Sequence, residues 1–189
     1  MTGNGRYPPG ESLHTFVVYV EDKPGVLNRV ASLFRRRGFN IESLTVGHTE
    51  QPGVSRMTIV MRASDEVARR VVANLYKLVN VLRVENVSAV PSVVRDLALV
   101  KVRVDPQNRS EVLQVCSVFR ARAVDVTPES LIVEITGAED KIDGLLEVLK
   151  PFGIIEMVRT GRVAMTRGPH APDVNPDFVP ARVLPSALA

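Results

Sequence analysis

The turn Glu21-Asp22-Lys23-Pro24-Gly25-Val26-Leu27 combines residue types that suit a zwitterion. A helix start presents unpaired N–H groups and a partial positive charge, and these hold a carboxylate. Gly25 has no Cβ, so another group can come close to the backbone there. Asp22 offers an acceptor for an ammonium group. Asn40, beyond the helix that follows, carries an amide that both donates and accepts. A free amino acid has both the carboxylate and the ammonium. The same residues also make a well-capped helix start and a turn Asn after Gly38, and residue types alone leave both readings open.

Residues for covalent, acid–base or metal chemistry do not assemble in the same way. The histidines are His14, His48 and His170, and none has a Cys or His at ligand spacing. Cys116 falls on the apolar stripe of a helix pattern, where it reads as a core thiol. There is no G-x-G-x-x-G and no P-loop. The acidic pairs Asp65-Glu66 and Glu139-Asp140 stand at helix starts, where the helix dipole accounts for them. The sequence predicts no catalytic residue and no metal ligand.

The turn sits inside a regular order of elements. Leu13 to Glu21 alternates, with Phe16, Val18 and Val20 on one face, which predicts a strand with one buried side. Asp22 can cap the next helix, and Pro24 suits its first turn. Val26 to Arg37 places Leu27, Val30, Ala31 and Phe34 on one stripe, with Arg35, Arg36 and Arg37 at the end that favours cations and Gly38 as the stop. Strands are expected over Asn40 to Thr49 and Val54 to Met61, joined by Gln51-Pro52-Gly53. A helix capped by Ser64 and a strand over Val79 to Ala89 complete the set. The order then repeats. Strands are expected over Leu97 to Val104, Ala123 to Val126, Leu131 to Thr136 and Ile154 to Met165, with helices over Arg109 to Phe119 and Ala138 to Lys150.

This predicts an α+β chain of two ferredoxin-like βαββαβ domains, each a four-stranded antiparallel sheet with two helices on one face. The expected boundaries are a flexible N-terminus over 1–12, a first domain over 13–90, a linker over 91–96, a second domain over 97–167 and a flexible Pro-rich tail over 168–189. A chain of 189 residues is long enough for two such cores. The net charge of +3 comes from scattered Lys and Arg, so no nucleic-acid partner is expected. A single cysteine, no signal-like run and no long apolar stretch point to a cytoplasmic chain with no membrane partner.

Two motifs carry a resemblance. The run from Val18 to Leu27, V-Y-V-E-D-K-P-G-V-L, resembles the opening of an ACT domain, a small amino-acid-sensing module. The run from Arg36 to Val46, R-R-G-F-N-I-E-S-L-T-V, narrows this to the small regulatory subunit of acetolactate synthase (acetohydroxyacid synthase). Ser55 to Val60, Leu75 to Val81, Asp125 to Leu131 and Gly161 to Gly168 agree, so the similarity spans about Leu13 to Gly168.

The resemblance implies a subunit without a catalytic site of its own. It would activate a large catalytic subunit and confer feedback inhibition by valine, or another branched-chain amino acid, in branched-chain amino-acid biosynthesis. Thiamine diphosphate, magnesium and FAD are expected on that partner and no cofactor on this chain. Valine is expected where two ACT domains meet in a homodimer, at Asp22, Gly25, Val26, Leu27, Asn40 and Ile41. Many relatives carry Asn at the position of Asp22, so this chain adds a negative charge there. The alternative is an ACT-domain sensor that regulates a different metabolic enzyme or a transcriptional regulator.

Overall fold

The structure is a computed structural model that describes residues 10–169. The stretches expected as flexible ends, 1–12 and 168–189, lie mostly outside the described residues. The chain divides into two compact units, one taking in residues 10–92 and 166–169 and the other Val93–Met165.

The first unit runs β1 (Ser12–Glu21), α1 (Val26–Arg36), β2 (Ser43–His48), β3 (Val54–Ala63), α2 (Asp65–Leu75) and β4 (Val81–Asn86). Its strands pair antiparallel in the order β2-β3-β1-β4, so β1 is central and β2 is an edge. Phe16, Val18 and Val20 of β1 share one buried cluster with Val30 and Phe34 of α1 and Val71 and Leu75 of α2, which puts both helices on one face. The single buried side expected for β1 is corrected: every residue from His14 to Val18 is buried. Phe16-Val17-Val18 is a continuous apolar run, the pattern of a strand enclosed on both faces rather than on one.

Local chemistry sets the helix ends. Ser64 accepts the Val67 N–H at 3.3 Å and caps α2, with Asp65 and Glu66 in its first turn. Gly38, at φ 68°, takes the left-handed conformation after α1. The expected strand start at Asn40 moves to Ser43, because Phe39 and Ile41 turn in against the core as the chain leaves the helix.

The second unit repeats the order with β5 (Ser92–Arg103), α3 (Arg109–Val118), β6 (Arg122–Val126), β7 (Ser130–Gly137), α4 (Glu139–Leu149) and β8 (Ile154–Arg159). Its sheet order, β6-β7-β5-β8, matches that of the first unit. Two expectations are corrected. The boundary between the units falls at Ser92/Val93, inside the expected linker 91–96, but β5 already begins at Ser92, so most of the segment is strand. The closing strand expected over Ile154 to Met165 breaks into β8 and β9 (Val163–Thr166). The two corrections have one cause: β9 pairs with β5, giving five strands instead of four, and the Arg167 N–H donates to the Pro91 carbonyl at 2.8 Å.

Glu85 on β4 is a buried carboxylate, 6% exposed, paired with Arg83. Loss of hydration pushes its pKa up, and this outweighs the opposing pull of Arg83 and Arg56. A raised carboxylate pKa favours folding below the unfolded value, and that contribution is lost as pH rises through the folded value. The stability of the Glu85→Gln variant relative to the parent is therefore expected to rise between pH 4.5 and pH 7. Urea unfolding of both proteins at the two pH values checks this.

Candidate functional site

The start of α1 is left open. Gly25 is its N-cap residue at φ 82°, and no side chain caps the first turn. A Cβ built on Gly25 meets nothing within 4 Å, so the approach to the backbone is clear. The expected capping by Asp22 is corrected, and Pro24 precedes the N-cap instead of lying in the first turn. The Asp22 carboxylate turns toward β2, where its Oδ2 lies 3.2 Å from Nδ1 of His48. The Asp22 N–H donates to the Gly53 carbonyl at 2.8 Å, so the turn is tied to the β2–β3 hairpin.

A part-buried network centred on Asn80 sets the turn's geometry. Arg29 of α1 donates to Oδ1 of Asn80 at 2.6 Å, and Nδ2 of Asn80 donates to Oε2 of Glu21 at 2.6 Å. Lys23 reaches the same Glu21 oxygen at 3.1 Å, and the Glu21 N–H donates to the Asn80 carbonyl at 2.9 Å. Asn80 is 8% exposed. It joins the end of β1, the turn, α1 and the entry to β4. Sequence reading missed Asn80, Arg29 and His48. Asn80 fell inside the strand expected over Val79 to Ala89, where it carries no signal of its own, and its partners are distant in sequence.

The six expected residues do not converge within one chain. Asp22, Gly25, Val26 and Leu27 lie at the start of α1; Val26 is buried and Leu27 is 43% exposed. Asn40 and Ile41 follow its other end, Asn40 exposed and Ile41 half-buried against the core. The helix has 11 residues, which separates its ends by roughly 16 Å. Asn40 instead borders a shallow cleft of about 510 Å³ with Arg37, Glu42, Arg62 and Ser64.

The equivalent turn of the second unit is closed. Oδ1 of Asp105 accepts the N–H groups of Gln107 and Asn108, both at 2.9 Å, and Asn108 returns a bond to the Asp105 N–H at 2.9 Å. That carboxylate ties down the turn ahead of α3, whose N-cap residue, Asn108, makes no side-chain cap either. Burial pushes the Cys116 thiol pKa up, away from the reactive thiolate. Among the described residues, no group of three His, Cys, Asp or Glu side chains is placed to hold a metal. Among them, too, no helix is long and apolar enough to cross a membrane.

Residues 16–83 match the family model for the ACT domain of acetohydroxyacid synthase small-subunit-like proteins, and residues 95–168 match that for the small subunit of acetolactate synthase. The acetolactate synthase small subunit of Mycobacterium bovis is 53% identical over 157 residues, 83% of this chain and 94% of that protein. The chain belongs to the acetolactate synthase small-subunit family. The Mycolicibacterium smegmatis small subunit is 49% identical over 161 residues, 85% of this chain and 95% of that one. The crystal structure of the Thermotoga maritima small subunit superposes with a TM-score of 0.79 at 41% identity, covering 83% of this chain and 98% of that one. Both ferredoxin-like units thus have a counterpart within the family.

Replacing buried Asn80 strips hydrogen-bond partners from exposed Arg29 and half-buried Glu21. Asn80→Ala is expected to cost roughly 1–3 kcal/mol. A lower denaturant midpoint at unchanged slope is the measurement that checks it.

Proposed function

We propose that this chain is the regulatory subunit of acetolactate synthase, raising the activity of a large catalytic subunit and conferring inhibition by valine. Membership of the small-subunit family supports the partner. The open start of α1 beside Asp22 supports an amino-acid effector. Its amides receive the carboxylate, Asp22 receives the ammonium, and Asn40 adds an amide contact. Thiamine diphosphate, magnesium and FAD belong to the catalytic subunit, which carries out the condensation of 2-ketoacids. The chain works in the cytoplasm.

The observation that carries the reading is the separation across α1. A group the size of valine cannot touch Asp22 and Asn40 of one chain when about 16 Å lies between them. Two copies related by a two-fold axis can set the turn of one against the Asn40 loop of the other. The open edge of β2 favours such pairing, and Val46 on it and Leu27 at the α1 start leave apolar surface exposed at 42% and 43%. An effector held across that seam shifts activity by its different affinity for the two arrangements of the dimer. Burying its side chain contributes about 1.5–3 kcal/mol. One methylene is worth about 1–3 kcal/mol, so leucine and isoleucine bind as weaker effectors.

Acetolactate formation by the cognate large subunit is expected to rise when this chain is added and to fall again as valine is titrated. No change in rate would instead favour an ACT-domain sensor of another enzyme. The shared site makes a sharper prediction. Asp22→Ala and Asn40→Ala chains, each alone, are expected to bind valine poorly. Mixed and allowed to exchange, they form dimers with one intact site, and calorimetry is expected to recover part of the binding. No recovery on mixing would place both residues in one chain's site or in none.

A further inference from the structure

His48 stands at the end of edge strand β2, 85% exposed, with Nδ1 3.2 Å from Oδ2 of Asp22. Strand pairing and the turn impose this contact. His48 pairs with Ser55 of β3, and the neighbouring hairpin residue Gly53 accepts the Asp22 N–H at 2.8 Å. The hairpin that carries the imidazole is therefore the same piece of backbone that anchors the carboxylate.

We propose that His48 is a positioning residue of the effector site, holding the Asp22 carboxylate while neutral and competing for it with the effector's ammonium when charged. The inference rests on the reading of Asp22 as the ammonium acceptor. Histidine is the side chain that ordinarily changes charge between pH 5 and 8. A neutral imidazole with its proton on Nδ1 donates a hydrogen bond to Asp22 and leaves the carboxylate's charge available. A protonated imidazole forms an ion pair that the incoming ammonium must displace. Two cations beside one carboxylate repel, so a charged imidazole and the effector's ammonium disfavour each other there. Effector binding then strengthens as pH rises and weakens as it falls.

Most of the other charged groups nearby are engaged elsewhere. From β1 and the turn, Glu21 and Lys23 pair with each other. From α1, Arg29 donates to Asn80. From β3, Arg56 lies opposite Gly47 and over the ring of Tyr19, 5.8 Å from its centroid. Glu50 is exposed in the β2–β3 hairpin. The other described histidine, His14, is buried near the far end of β1, 3.2 Å from the Ala63 carbonyl and 3.6 Å from Asp65.

The test is calorimetric titration of the full chain with valine at pH 5.5, 6.5 and 7.5, for the parent, His48→Asn and His48→Ala. An exposed ion pair sets the scale, so the parent is expected to bind roughly two- to fivefold more weakly at pH 5.5 than at pH 7.5. At pH 6.5 its binding heat is expected to depend on the buffer's ionisation heat, the mark of proton release. His48→Asn keeps a neutral donor beside Asp22 but cannot charge. It is expected to bind like the parent at pH 7.5 and to lose both the pH slope and the buffer dependence. His48→Ala is expected to lose the slope and to bind more weakly at pH 7.5, because nothing then holds Asp22. A pH slope that persists in His48→Asn overturns the assignment. Saturable valine binding in the parent with no pH slope at all also overturns it, while leaving the effector site standing. Absence of valine binding at every pH removes the effector site itself.

Discussion

An α-helix keeps its two ends apart. In the first unit, α1 is a rigid spacer of 11 residues, held to the sheet by Val26, Val30, Leu33 and Phe34. Those buried side chains fix its direction against β1, so the open turn at its start and the Asn40 loop beyond its end cannot meet within one chain. The proposal of an effector site shared by two chains follows from that separation. A site that needs both pieces needs two chains, and the binding of a small molecule becomes a statement about how two chains are arranged.

The two units show how one topology supports different chemistry. Each has a strand-to-helix turn in the same place. Before α1, the N-cap is a glycine at φ 82° and no side chain reaches the amides. Before α3, Asp105 closes on the amides of Gln107 and Asn108. A helix start attracts negative charge whichever molecule supplies it. In the second unit a carboxylate ties the turn just ahead of the helix, and in the first the Asp22 carboxylate turns away toward His48. Repeats of this kind diverge at the turns because the sheet and helices tolerate little change in their buried faces, whereas an exposed turn accommodates substitutions freely.

The polar network around the turn explains how an uncapped helix start keeps its shape. Asn80 is buried and links Arg29 to Glu21, so backbone from β1, α1 and β4 shares one set of hydrogen bonds. Because Asn80 itself is buried, leaving its amide unpaired is costly. The turn can then present open amides without fraying, and Asp22 and His48 extend the set toward the exposed edge of β2.

The sequence by itself determined the order of elements, the fold of each unit and the absence of any motif for catalysis. Alternation in the strands, helical stripes such as Val30 with Phe34, and punctuation by Ser64 and Gly38 are local signals that survive without any tertiary partner. It also nominated candidate site residues, Asp22 and Gly25 on one side of α1 and Asn40 on the other. Tertiary structure decided what each of them faces. Asp22 fits a helix cap by residue type, but the chain turns it to His48 because Gly53 holds its backbone. The segment at 91–96 looked like a linker because its partner, β9, lies some seventy residues away. Asn80 carries no periodicity to mark it. Contacts between segments distant in sequence depend on how the sheets bring them together, and no local pattern encodes that.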